Sequence, residues 1–439
     1  MKITFIRPGL TGAKMADALE PIVFALLTAL TPPDIDVVLY DDRIERIPFE
    51  EPTDLAALSV ETFTARRAYA IATRYRQRGV PVVMGGFHPT LCPDEAAQHA
   101  TSIVIGEGEN VWPQVVRDAQ QGRLRPRYQG TPPENPLRIS FDRRIFQGKR
   151  YPPIRLVQWG RGCVHECDFC AVQTFYQRRT SRRPIADVIA ELQQARAKYV
   201  LFVDDNLFAH PTELRKLAEA LIPLKLTWAT QISLNVAHDP QLLRLLSRSG
   251  CCAVLIGFES LHSDNLRQMH KGWNRSFQEY EEAIRAFYDH GIMVCGTFVF
   301  GYDYDTPDSF KQCLEFTERH KMCLAHFNPL IPYPGTALYA RLRGEGRLIG
   351  DPWWLTPDFR YGQAMFQPRG MTANELAAGC FWARTHFNTV SSIVRRAIPP
   401  TANIKNWKHI WLYALTNWMT RSEIYHKQGA ELGYETDLD

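Results

Sequence analysis

Twice along this chain, short runs of apolar and β-branched residues alternate with stretches of helical period. A short continuous apolar run closed by Gly or Asp is the pattern of a strand buried on both faces in a parallel sheet. A helix between two such runs carries the chain back to begin the next parallel strand. This repetition leaves little besides an α/β architecture built on parallel sheets.

In the first series, MKITFI reads as a strand and residues 15–30 as a helix, with Pro21 near its first turns. Residues 35–41, 54–60, 80–86 and 102–108 read as further strands, with helical patterns at 65–79 and 92–100 between them. The expectation is a Rossmann-like (flavodoxin-like) domain over residues 1–125. Residues 126–153, rich in Pro, Arg and Gly without a sustained period, read as a linker.

The second series begins at 154. Strands are expected at 154–159, 199–205, 226–234, 252–259, 293–301 and 324–332, with helices at 184–197, 211–222, 239–249, 276–290 and 307–321. Pro184, Pro211, Asp239 and Pro307 stand where helix starts are expected. Six βα units are too few for a full eightfold barrel. They fit a partial (β/α)6 TIM-type barrel over 154–344, its active site at the C-terminal ends of the strands. Beyond 345 the pattern turns helical and Trp-rich, and residues 345–439 are expected to form a C-terminal α-helical cap.

Composition narrows the class. The 439 residues are 45% hydrophobic and 22% charged, ordinary for a globular chain and unlike a disordered one. With 51 basic and 47 acidic residues, the net charge of +4 gives no basis for a broad nucleic-acid surface. No stretch approaches the roughly 20 apolar residues that span a bilayer. Arg7 and Pro8 stand where the apolar region of a secretion signal would run, so the default compartment is cytoplasmic.

Three of the ten cysteines fall within eight residues, in GRGCVHECDFCAVQ (160–173). Cys163, Cys167 and Cys170 can bind three irons of a [4Fe–4S] cluster and leave the fourth open to an exogenous ligand. Zinc on these cysteines and His165 is the competing reading, but such sites usually pair two short knuckles and no second knuckle is found.

A CxxxCxxC after the first strand of a six-fold βα series resembles the signature of radical SAM enzymes. The resemblance covers about residues 154–335 and implies that the open iron chelates S-adenosylmethionine (SAM), whose carbon–sulfur bond is then reductively cleaved. Phe169 matches the aromatic position whose backbone touches the adenine. Asp204, Asp205 and Asn206 match the strand end that receives the methionine amino group. Gln231, Ser233 and Glu259 lie on the two strands that carry ribose and carboxylate contacts. Read without the resemblance, these are a helix-capping turn and a polar barrel interior. Tyr302, Asp303, Tyr333 and Pro334 are expected at the barrel mouth, in a pocket or simply in connections.

The N-terminal domain resembles the cobalamin-binding domain of one radical SAM subgroup, through MGGFHPTLCPDEAAQHA (84–100) and VIGEGENVWP (104–113). Gly85, Gly86, Gly106 and Gly108 at strand ends would let a large ligand approach backbone, and Thr62 could donate to its nucleotide tail. One departure matters: the Asp-x-His-x-x-Gly that supplies a cobalt ligand is replaced by RPGLTG (7–12). His88 is the nearest substitute, read primarily as a loop hydrogen-bonding residue. A ligand-free flavodoxin-like module is the alternative for the whole domain.

Residues 407–421 place Trp407, Trp411 and Trp418 at helical spacings with basic flanks. An aromatic stripe packed on the barrel is the primary expectation; a membrane-surface helix is the other. The cysteines outside the cluster, Cys251 and Cys252 among them, read as small buried hydrophobes.

Together these features imply a radical SAM enzyme with a [4Fe–4S] cluster, SAM and cobalamin that methylates an unactivated carbon of a small molecule. An external reductant such as flavodoxin or ferredoxin would supply the electron. The alternative is the same radical chemistry without net methylation: cyclisation, rearrangement, or transfer of another SAM fragment such as aminocarboxypropyl. No residue is assignable as a substrate acid or base.

Overall fold

The computed structural model describes residues 1–10, 15, 18–132, 137–271, 277–399 and 401–432. The last two residues of the RPGLTG loop lie outside them.

The first sheet has six strands: β1 (Lys2–Arg7), β2 (Asp36–Asp41), β3 (Leu55–Ser59), β4 (Val82–Gly85), β5 (Ser102–Ile105) and β6 (Arg127–Gln129). All pair in parallel, in the order β2-β1-β3-β4-β5-β6. This is the flavodoxin-like order, whose switch point between β1 and β3 opens a crevice at the strands' C-terminal ends. The five expected strands are present. The sixth comes from residues read as linker: Tyr128 is buried, its hydroxyl donating to Asp118 at 2.8 Å. The first unit therefore extends past residue 125. The helix expected over 15–30 is shorter, Ile22–Ala29, with Pro21 as its cap. Proline lacks the N–H and its ring clashes with a preceding turn, so the helix starts behind it.

The second sheet holds β7 (Arg155–Val157), β10 (Tyr199–Phe202), β11 (Thr227–Gln231), β12 (Cys251–Glu259), β13 (Met293–Phe300) and β14 (Leu324–Pro329). They pair in parallel in sequential order, each neighbour the next in the chain. Helices Ile185–Ala195, Pro211–Leu221, Pro240–Arg248, Phe277–Asp289 and Pro307–Arg319 connect them, as the start signals imply. Their apolar faces and the strands bury one core that includes Trp228, Phe258, Phe287 and Phe327. A small antiparallel pair, β8 (Gly160–Arg161) with β9 (Ser181–Arg182), brackets the cysteine loop.

Residues 345–372 are largely irregular, and the helices of the C-terminal region are Ala373–Phe387, Val390–Ala397 and Trp407–Lys427. Trp353 and Trp354 are buried against the first unit's core. Trp354 donates to Glu95 at 3.0 Å, and Trp353 to Pro332 O at 3.0 Å. The C-terminal region thus bolts the barrel to the N-terminal sheet.

Candidate active site

The cysteine loop leaves β8 at a glycine no other residue can replace. Gly162 has φ +79°, and a Cβ there would overlap Arg179 O. Its N–H donates to Asp205 Oδ2 at 2.7 Å, from the C-terminal end of β10. The neighbouring carboxylate, Asp204, accepts the N–H groups of Trp159, at 3.0 Å, and Gly160. Burial pushes Asp204 up to about 7 against the pull of these donors. Both carboxylates are therefore committed to the backbone of the loop that carries the cysteines. They fix the path of that loop.

Asn206 does more. Its Oδ1 accepts the N–H groups of Phe208 at 3.1 Å and Ser233 at 3.2 Å, while Nδ2 points at Cys163 Sγ, 3.9 Å away. Ser233 Oγ in turn lies 3.4 Å from His165 Nε2. Cys163, Asn206, Ser233 and His165 therefore form one connected group at the barrel mouth. Gln231 is exposed at the end of β11. Glu259 is buried, at φ +65°, and pairs with Lys271 at 2.9 Å. Phe169 packs half-buried against the barrel core.

The loop is pinned from its other side by Asp168, a residue the sequence reading passed over. Tyr302, from the end of β13, donates a short hydrogen bond to its carboxylate. Its backbone accepts from Leu338 at 3.0 Å and donates to Met269 O at 3.2 Å. Tyr302 is thus a buried support for the loop, not a pocket wall. An aromatic next to a turn carries no signal of that partner in the sequence.

Cys163, Cys167 and Cys170 are half-buried and free. Burial pushes the Cys167 thiol up to about 12, and Cys170 upward, with the neighbouring cysteines adding to both. Thiolates so placed need a cation to hold them, and iron supplies it. Among the described residues, the trio of His, Cys, Asp or Glu ligand atoms that lie within 4.8 Å of one another is His88, Cys92 and Glu95. The loop sulfurs are less tightly drawn, as suits separate irons of a cluster better than one zinc ion.

The C-terminal edge of the first sheet faces this mouth. A cavity of about 470 Å³ lies between them. Gly85, Gly86, Gly106 and Gly108 line it from β4, β5 and the loops that follow, and Leu156, Arg161, Phe175, Tyr176 and Val203 from the barrel. Gly86 has φ +104°, with Val60 O only 2.9 Å from where a Cβ would stand. The Thr90 hydroxyl donates to Gly86 O at 2.8 Å and accepts from Gly106 N at 2.9 Å, clasping two glycine strand ends together. The floor is ionic: Arg161 pairs with Glu109 and, at 3.2 Å, with Glu107. Burial opposes the Arg161 charge, but the two carboxylates more than offset it. Neither Thr90 nor the Arg161 trio was singled out from sequence; polar residues flanking GEGEN and GRGC were the available signal.

Two expected contacts fall elsewhere. Thr62 is buried in the turn Thr62–Thr64 and does not line the cavity. His88 is fully buried, with Nε2 2.9 Å from Tyr69 Oη and 3.0 Å from Glu95 Oε1. It is a hydrogen-bonding node, off the cavity. The glycine-lined, backbone-exposing cradle fits a large flat macrocycle, with no histidine lining it as a lower ligand.

A family model described as the Radical SAM superfamily matches residues 157–317. The bacteriochlorophyllide d C-12(1)-methyltransferase of Chlorobaculum tepidum is 30% identical over 393 residues, 86% of this chain and 84% of that protein. The C-8(2)-methyltransferase of the same organism is 28% identical over 354 residues, 76% of this chain and 78% of that protein. In fold, the chain is similar to the radical SAM methyltransferase TsrM of Kitasatospora setae, solved with cobalamin and a [4Fe–4S] cluster. The TM-score is 0.65 at 15% identity, covering 97% of this chain and 98% of that one. A partial barrel with three cysteines at its mouth is therefore the catalytic unit of a radical SAM enzyme. More narrowly, the chain belongs to the radical SAM family that includes the bacteriochlorophyllide d C-12(1)-methyltransferase, and its N-terminal unit shares the fold of TsrM.

Proposed function

We propose that this enzyme methylates an unactivated carbon of a tetrapyrrole, using a [4Fe–4S] cluster, SAM and cobalamin. The observation that carries the reading is the confrontation of two strand C-terminal edges across one cavity. The glycine cradle lines it on one side, and Arg161, Phe175 and Tyr176, which flank the cysteine loop in sequence, line it on the other. Such a carbon has no electron pair to attack a methyl sulfonium, so the cofactors supply radical cleavage of SAM and a methyl group held on cobalt.

The chain's own residues bind and orient. Cys163, Cys167 and Cys170 hold three irons; Asn206 donates toward Cys163 and steadies Ser233. Asp204, Asp205 and Asp168 fix the loop's path. Phe169, Asp204, Asp205, Asn206, Gln231, Ser233 and Glu259 are the SAM contacts the resemblance implies. Gly85, Gly86, Gly106 and Gly108 would admit a corrin to backbone, and Arg161, Glu107 and Glu109 line the same cavity. The tetrapyrrole substrate rests on the two bacteriochlorophyllide methyltransferases. A reductant of the flavodoxin or ferredoxin class supplies the electron, in the cytoplasm, where thiols stay reduced.

The test is anaerobic reconstitution with iron, sulfide and hydroxocobalamin, followed by SAM, reductant and bacteriochlorophyllide d. Support is about four irons and one retained cobalamin per chain, 5′-deoxyadenosine, and a product heavier by one methylene. Four irons without retained cobalamin would move the reading to radical chemistry without methylation. Zinc without iron would sink it.

A further inference from the structure

The helix Trp407–Lys427 is inside out. The residues it turns toward the protein are largely hydrogen-bonding: His409, Tyr413 and Asn417 are buried. Each satisfies backbone. His409 Nε2 lies 3.1 Å from Gly291 O, Tyr413 donates to Ile393 O at 2.7 Å, and Asn417 donates to Cys323 O at 3.0 Å. Asn417 also accepts from the buried Arg396 at 3.0 Å. The opposite face carries Trp407, Ile410, Trp411, Leu415, Trp418 and Tyr425, all exposed. At 3.6 residues per turn these six fall on one side of the helix. Trp407 and Trp418 are 68% and 72% exposed. The aromatic stripe expected to pack on the barrel therefore faces outward.

Single exposed apolar residues need no explanation, but a contiguous aromatic face does. The preceding helix and its cap also leave apolar residues outside: Val390, Val394 and Ile398 are all exposed. Charge identifies what covers it. The exposed charges that border it without a carboxylate partner among the described residues are basic: Lys405, Lys408 and Lys198. Lys405 and Lys408 are exposed beside Trp407, and Lys198 is exposed next to Tyr199, whose ring stacks on Trp411 at 5.8 Å. Tryptophan among basic side chains suits the headgroup layer of an anionic bilayer, where the ring sits at the interface and the cations meet lipid phosphates. No described helix is long and apolar enough to cross a membrane, so this one would lie along it.

We propose that this face docks the enzyme on an anionic membrane surface. The contacts with Gly291, just before β13, and Tyr199, at the start of β10, place it at the strands' N-terminal ends. The cluster loop lies at the other end of the barrel, so docking leaves the mouth free. The inference is independent of the reaction catalysed.

The test is flotation of the full chain with phosphatidylcholine vesicles, with and without phosphatidylglycerol. The expected result is co-flotation with the anionic vesicles only, weakened at roughly 0.5 M salt, where charges are screened within a few Å. Trp407→Ser/Trp418→Ser should lower partitioning about tenfold or more. Lys198→Glu/Lys408→Glu, at two exposed side chains, should do likewise with an unchanged melting temperature. Absence of flotation, or flotation that neither variant alters, overturns the proposal. So does a concentration-dependent dimer that the Trp variant dissociates, since a second copy would then own the face.

Discussion

Arg161 and Glu109 form an ion pair across the seam between the two α/β units, two residues before the first cluster cysteine. Glu107 joins them at 3.2 Å, and all three side chains are at most one-tenth exposed. The pair couples the cradle beneath one cofactor to the loop that holds the other.

Removing one member strands a buried charge. Arg161→Ala leaves two carboxylates without a counter-ion and should cost about 3–5 kcal/mol. The expected readouts are a lower melting temperature and loss of cobalamin on desalting. Glu107→Gln/Glu109→Gln in the same chain should restore part of the stability. A melting temperature unmoved by Arg161→Ala would refute the coupling.

Gly162 is the tightest point of the cluster loop, with positive φ and no space for a Cβ beside Arg179 O. Gly162→Ala should cost on the order of 1–3 kcal/mol locally. The loop would move, and iron incorporation should fall severalfold while far-ultraviolet dichroism stays native. Full iron content in this variant would contradict the geometry.

Asp305 gives a pH signature. It is buried and accepts from Gly301 N at 2.8 Å, Tyr302 N at 3.1 Å and Asn265 Nδ2 at 2.8 Å. Burial nonetheless raises its carboxyl to about 7. Against an unfolded value of about 3.9, the native state holds the extra proton between these limits. Its contribution to stability therefore falls as pH rises from about 4 to about 7 and is level above. Asp305→Asn should flatten that part of the urea-midpoint profile. Parallel profiles for variant and parent would count against it.

His88 is committed to Tyr69 and Glu95 and does not line the cavity. If cobalamin binds as proposed, the cob(II)alamin form should show no nitrogen hyperfine splitting from a protein histidine. His88→Gln should leave that spectrum unchanged while lowering the melting temperature. Splitting that vanishes in His88→Gln would make this residue a cobalt ligand after all.

The strands were legible because a strand buried on both faces must be apolar throughout. Such runs as VVMGG and SIVIGEG have no other use in a chain this polar. The cysteine loop was legible because its spacing is itself chemical. Partnerships across the fold were not. Nothing local marks Asp168 as the acceptor for Tyr302, 134 residues away. Asp204 and Asp205 were placed at the right strand end, but their bonds to Trp159, Gly160 and Gly162 were not foreseen, since a carboxylate that caps backbone reads the same as one that awaits a ligand. In residues 407–427, periodicity showed which side chains share a face; it could not show that the hydrogen-bonding face is the one turned inward. Tyr128 was missed because a three-residue edge strand lies below any detectable period.

The two sheets meet at their C-terminal edges, and the walls between them come from widely separated stretches of chain. The cysteine loop and the glycine turns must keep their backbone paths, because a Cβ at Gly86 or Gly162 has nowhere to go. The irregular stretch 345–372 is a strap tied as firmly: a Cβ at Gly370 would overlap Asp305 O, and Trp353 and Trp354 are buried against the first unit's core. Cradle, cluster loop and strap therefore form one mechanical unit, and a change in any of them is felt by the other two.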